Sequence, residues 1–437
     1  MAETTFGRRD PASFPLPGVE ITHSVARPRE KKPSRVPDIM KTPDELEASF
    51  IQLFKDYTKA AAAARSEEKN DCEKKLIKVI KYFRNLKILY STVRHLFPRV
   101  LDLKEAVPLM INLLKDDKCG KRLASSILWT FEELTHVAYE VPSQKEQVAK
   151  LVKSLFEMEA LQVFVSTLGK FSEDDDLRAV QTIAQMCFHG GSAVVTTAGS
   201  NSKLMNWVFE ATTGTKWDVK VCAVGFLHTL LFCSYKNRLV LGTGTLPVVI
   251  DALSALTSPG EEKTEEQERK EEEEDLPCTF FDCLFFLLEH LDNKIHFFNS
   301  GGVEAMIKVL QDGQELGDYI YGSAIAVLDI VKDCASDKFE NEDLGLDIAI
   351  FPASMDMIHG STMHVKEEIE ERLISLIESL TGGISKTKKY TLLKKFEEND
   401  CERITWLMEL FTRYSKNVEA VANHPKSKQV AHIYYSK

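Results

Sequence analysis

The run VPLMINLL (107–114) is a short apolar stretch whose pattern returns four times. It recurs as LQVFVSTL (161–168), LMNWVFEA (204–211), LPVVIDAL (246–253) and VEAMIKVL (303–310). Successive starts lie 54, 43, 42 and 57 residues apart. Two intervals agree at 42–43, and each long one has a visible cause. The first contains the polar connection YEVPSQKEQ (139–147), and the last contains the charged insertion PGEEKTEEQERKEEEED (259–275). A period of about 40–47 residues is that of armadillo and HEAT repeats.

Each run is followed by a longer apolar segment. These are KRLASSILWTFEEL (121–134), LRAVQTIAQMCF (177–188), VKVCAVGFLHTLLF (219–232), TFFDCLFFLLEHL (279–291) and YIYGSAIAVLDIV (319–331). Several are apolar nearly all round, as expected of the inner helix of a solenoid, which packs between its own unit and its neighbours. VKEEIEERLISLIESL (365–380) reads as the long helix of a sixth unit, and a final amphipathic pair spans about 388–422. Upstream, Thr42-Pro43 with Asp44 and Glu45 reads as a helix start. A second helix is predicted from Cys72 to about Tyr90. The expected fold is all-α, a right-handed superhelical solenoid of armadillo/HEAT-like repeats. It spans residues 44–424, between a disordered basic tail (1–43) and a C-terminal tail (425–437).

Composition agrees. Over 437 residues, 44% hydrophobic content supplies a core, while only 21 glycines and 15 prolines argue against a turn-rich β fold. The net charge of −11 argues against a broad nucleic-acid surface and suits basic partners. The basic stretch SKTKKYTLLKK (385–395) is explained equally well by helix ends, so direct RNA contact is not expected. The longest apolar run, Val221 to Tyr235, is shorter than the ~20 residues a bilayer requires, so it reads as a buried helix and no membrane partner is expected. The nine cysteines form no CxxC pair and read as reduced core residues.

No catalytic or metal-binding constellation stands out, and no enzyme activity, metal or cofactor is expected. GTGTL (242–246) lacks the lysine of a phosphate loop and reads as a sharp turn between helices. His189-Gly190-Gly191 reads as a helix end, with glycine as the cap and histidine favoured by the helix dipole. More informative are acidic residues on the long helices, where positions three, four or seven apart share a face. Trp129, Glu132 and Glu133 fall together, as do Asp282 and Glu289, and Asp329 and Asp333. Carboxylates beside an aromatic ring suit the arginines and lysines of a basic peptide. The same residues also fit a solvated face with ordinary ion pairs. In the N-terminal tail, Arg27, Arg29, Lys31, Lys32 and Arg35 form a candidate nuclear localisation signal.

One segment carries a family resemblance. In LLKKFEENDCERITWLMELFTRY (392–414), the residues Leu392, Leu393, Lys395, Phe396, Glu398, Asn399 and Asp400, then Leu407, Met408, Glu409, Leu410 and Tyr414, resemble a run of the beta-catenin-like protein 1 family. These are nuclear armadillo proteins associated with the spliceosome. KLMNWVF (203–209), KNRLVLG (236–242) and FFDCL (280–284) resemble further family segments. Against that family the chain is expected to be divergent and C-terminally short. The resemblance implies a nuclear, non-catalytic scaffold of pre-mRNA splicing. Such a scaffold holds basic segments of splicing factors, notably the Myb-like subunit of the NineTeen complex. The competing expectation is a cytosolic armadillo-type nucleotide-exchange co-chaperone of Hsp70.

Overall fold

The computed structural model describes residues 43–62, 66–90, 105–140, 145–256, 276–312 and 318–339. It also describes parts of 369–376 and 404–416. The basic tail, the insertion at 259–275 and the run at 392–400 lie outside the described residues. Among the described residues every regular element is helical.

The helices are α1 (Pro43–Ala62), α2 (Ser66–Tyr90), α3 (Ala106–Lys115), α4 (Lys121–Glu140), α5 (Lys145–Glu157), α6 (Ala160–Thr167), α7 (Glu173–Gly190) and α8 (Ser192–Gly199). They continue as α9 (Ser202–Thr213), α10 (Trp217–Cys233), α11 (Tyr235–Val240), α12 (Gly242–Leu256), α13 (Leu276–Leu287), α14 (Leu291–Asn299), α15 (Gly302–Asp312) and α16 (Asp318–Phe339). The five recurring apolar runs lie in α3, α6, α9, α12 and α15. Their longer followers lie in α4, α7, α10, α13 and α16. The expected all-α armadillo-like repeat architecture is the one found.

The unit has three helices, whereas the sequence pattern showed two. A further helix precedes the second to fifth pairs, as α5, α8, α11 and α14. Three of these are too brief to show a period: α8 has 8 residues, α11 has 6 and α14 has 9. The fourth, α5, revises the first long interval. Residues 145–147 of the expected polar connection begin α5, a 13-residue helix, and α4 before it runs to 20 residues. The extra length therefore sits largely in longer helices. α2 likewise starts six residues before Cys72, at Ser66, where Glu67 and Glu68 oppose the positive end of the helix dipole.

The chain divides into two compact units, residues 1–237 with 260–279, and residues 238–259 with 280–437. In the first, the long helices stack in a ladder, α2 on α4, α4 on α7 and α7 on α10. The rungs are apolar: Leu76, Ile80, Ile127, Phe131, Ile183, Met186, Phe226 and Leu230 are all solvent-inaccessible or nearly so. Each such side chain contributes about 1.5–3 kcal/mol on burial. Phe131 meets Phe164 of α6 edge to face, with ring centroids 5.4 Å apart. The entry to α7 is fixed by a capping box, in which the Ser172 hydroxyl accepts from the Asp175 N–H and the Asp175 carboxylate accepts from the Ser172 N–H. His189 in the last turn of α7 departs from expectation. Burial, with Lys145 nearby, pushes its imidazole down to about 4, so it is neutral and does not serve the dipole. Gly191 caps the helix as expected, at φ +76°.

In the second unit, α12 packs on α14 and α15, and both of these pack on α16. GTGTL is the first turn of α12 and not a loop, with Pro247 inside the helix. Proline has no N–H to give the Thr243 carbonyl. The His296 Nε2 atom lies 3.2 Å from that oxygen, where its N–H tautomer donates. Gly242 is required by contact: a Cβ there would stand 1.9 Å from Asn293 Oδ1.

The 43-residue period is also written in polar contacts. Lys216 reaches Glu173, 43 residues earlier, at 2.6 Å. Lys332 bonds Ser375 and Arg413 bonds Glu370, again 43 residues apart. The Lys216–Glu173 pair is largely exposed and adds little stability, so it marks register more than it holds it.

Candidate peptide-binding site

The clearest site is built on the ladder of the first unit. Trp129, Glu132 and Glu133 share one face of α4, as their spacing predicts. The Trp129 indole N–H donates to the Glu133 carboxylate at 3.3 Å, which fixes the ring. Glu133 itself is buried.

The ring face is occupied. Arg178 of α7 lays its guanidinium over the Trp129 indole, 4.8 Å from the centroid. Its Nε lies 3.7 Å from the Glu132 carboxylate, and one terminal nitrogen lies 3.0 Å from Asp175. The same nitrogen is 3.4 Å from the Ser125 hydroxyl. Burial, with the Glu132 carboxylate nearby, pushes the thiol of Cys222 on α10 up to about 12. One arginine is thus held between two successive long helices, by Trp129, Glu132 and Ser125 of α4 and Asp175 of its own α7.

Asp282 and Glu289 do not share a helical face. α13 ends at Leu287, whose carbonyl is taken by the Asn293 side-chain amide at 2.8 Å, and this turns the chain before Glu289. Glu289 instead pairs with Arg238, whose guanidinium stacks on Phe286 at 4.6 Å. The pattern repeats the first site: an aromatic residue, a glutamate three positions later, and an arginine from another helix laid across both. Asp282 is buried, and desolvation pushes its carboxyl up to about 6. Asp329 pairs with Lys332 of its own helix at 2.7 Å. The side chain of Asp333, and Arg27, Arg29, Lys31, Lys32 and Arg35, lie outside the described residues.

Arg178, Asp175 and Arg238 were missed by the sequence reading. Arg178 carried one usable signal: it stands three residues after Asp175 on one helix. Its other partners, Trp129 and Glu132, are about one repeat away, and only the stacking of α7 on α4 brings them together.

Stacked three-helix units with a 42–43-residue period define an armadillo-repeat protein. Residues 51–433 match the family described as "Catenin-beta-like, Arm-motif containing nuclear", and the chain belongs to that family. The human Beta-catenin-like protein 1 is 25% identical over 349 residues, 74% of this chain, and the rat protein is similar to the same extent. The chain spans 57% of the length of these relatives. Among solved structures, a designed armadillo repeat protein in complex with the peptide (KR)4 is similar over 62% of this chain and 98% of its own, at 14% identity and a TM-score of 0.44. A second designed armadillo repeat protein gives 16% identity and a TM-score of 0.42, covering 62% of this chain and 99% of its own.

Proposed function

We propose that this protein is a non-catalytic scaffold of the pre-mRNA splicing machinery in the nucleus, and that it holds basic segments of splicing factors. The observation that carries the reading is the match of residues 51–433 to a nuclear armadillo family whose curated relatives are beta-catenin-like proteins. The site chemistry supports it. The Trp129 cluster already grips a guanidinium by a ring face and carboxylates, which is the chemistry a basic peptide needs. A stacked arginine gains about 0.5–1 kcal/mol from the ring at an exposed site and more when desolvated. The acidic net charge of −11 favours the approach of basic segments at low salt.

The Myb-like subunit of the NineTeen complex is the partner proposed from the family resemblance. Nuclear entry is proposed to use Arg27, Arg29, Lys31, Lys32 and Arg35. The test is affinity purification of the tagged protein from nuclear extract. NineTeen-complex subunits should co-purify, and should be reduced in a Glu132→Lys, Glu133→Lys variant and at raised salt. Their absence from the wild-type sample overturns the splicing assignment.

A further inference from the structure

We propose that the Trp129 cluster is a subsite for one arginine side chain of a partner, and that Arg178 is the chain's own occupant, displaced when the partner binds. The proposal rests on the basic-segment reading above and names what that reading leaves open: which side chain is recognised, where, and against what competitor.

Three observations support displacement. First, the occupant is at the surface: the Arg178 side chain keeps 21% of its exposure and Glu132 keeps 15%, so a second guanidinium can approach the same ring. Second, Arg178 has somewhere to go. Asp175 lies three residues earlier on the same helix, bonded at 3.0 Å, and its side chain is 5% exposed. When Arg178 leaves Trp129 and Glu132 it can retain this partner, so its charge is not stranded, which removes the main cost of breaking a part-buried pair. Third, the receptor half is held without Arg178, because the indole is fixed by Glu133 at 3.3 Å. An emptied site therefore remains shaped for a planar cation.

The site should prefer arginine to lysine. A guanidinium stacks flat on the indole while its edge nitrogens meet Glu132 and the Ser125 hydroxyl, whereas an ammonium is a point charge that satisfies one of these at a time. The resident arginine lowers the apparent affinity of a partner in proportion to the fraction of time the site is open.

The experiment is calorimetric titration of the full chain with two octapeptides, one alternating lysine and arginine and one all lysine. Wild type, Arg178→Ala and the double variant Arg178→Ala, Glu132→Gln are compared. Arg178→Ala should bind the arginine peptide about tenfold more tightly than wild type, as expected for removing a competitor worth one decade. The all-lysine peptide should gain less than threefold, and the double variant should lose the gain. If Arg178→Ala does not fold, as judged by circular dichroism, Arg178→Gln replaces it, because it keeps part of the stem and drops the charge. Wild-type binding with no gain in the arginine variants overturns the subsite and leaves the scaffold reading standing. No binding by any variant overturns the subsite and peptide binding together. As an arm independent of peptides, N-acetyl-arginine amide should raise the thermal midpoint of Arg178→Ala and leave wild type unmoved. Equal shifts in both count against the proposal.

Discussion

Arg178 and Arg238 make the same pair of contacts and do different jobs. Each lies over an aromatic ring, Trp129 or Phe286, and each meets the glutamate three positions after that ring. Arg178 comes from a long helix stacked on the one it touches. It has a second carboxylate at hand, it reaches the other helix by its side chain, and its carbonyl accepts from Thr182 of its own helix at 2.8 Å. Arg238 comes from the short helix α11, and its backbone is held as well. Its carbonyl accepts from the Asn293 amide at 2.7 Å, and Asn293, only 2% exposed, also closes the end of α13. One arginine is a rivet and the other is a gate. An ion pair seen in isolation does not distinguish them; what the backbone beside it is bonded to does.

The comparison can be broken at the rivet. Asn293→Ala leaves the carbonyls of Arg238 and Leu287 without their shared donor in a buried place. The expected loss is about 2–4 kcal/mol, or a fall of roughly 5–10 °C in the thermal midpoint. A fall under 2 °C would show that Asn293 is not what holds that end of α13.

Asp282 lies on the helix that Asn293 terminates, and it sharpens the picture through pH. Its folded carboxyl keeps its proton up to about pH 6, while the unfolded group titrates near 3.8. Between these values the folded state binds more protons, so stability falls as the pH rises through the window and the contribution is lost above pH 6. Asp282→Asn should flatten that slope and raise neutral-pH stability by at most about 3 kcal/mol, read from urea midpoints at pH 4, 5, 6 and 7. An unchanged slope would mean that the folded carboxyl is charged throughout.

The smallest effects compare the arginines directly. Arg238→Ala should cost about 1–2 kcal/mol. Arg178→Ala should cost less than about 1 kcal/mol, because the Asp175 carboxylate it leaves behind still accepts from the Ser172 N–H and hydroxyl. The reverse order in urea unfolding would exchange their roles.

Residue spacing made the repeat legible. Apolar residues at helical spacing must be buried, burial forces neighbouring units to stack, and the 42–43-residue interval survives in any stretch without an insertion. The short helices α8, α11 and α14 were illegible, because 6 to 9 residues carry too few turns to show a period. The face shared by Trp129, Glu132 and Glu133 was also legible, since it lies on one helix. The face expected of Asp282 and Glu289 was not realised, because the helix end between them depends on Asn293, which acts from the next helix.

The sequence by itself determined the paired helices, their period and the face that Trp129, Glu132 and Glu133 share, all consequences of local geometry and of apolar surface leaving water. Only the tertiary structure decided which cation each acid meets. Arg178 and Trp129 stand 49 positions apart, and Arg238 and Phe286 stand 48 apart. A guanidinium stacks only within about 6 Å of a ring. The first contact joins helices of successive repeats and the second joins two helices of one repeat, and no spacing along a single helix encodes either.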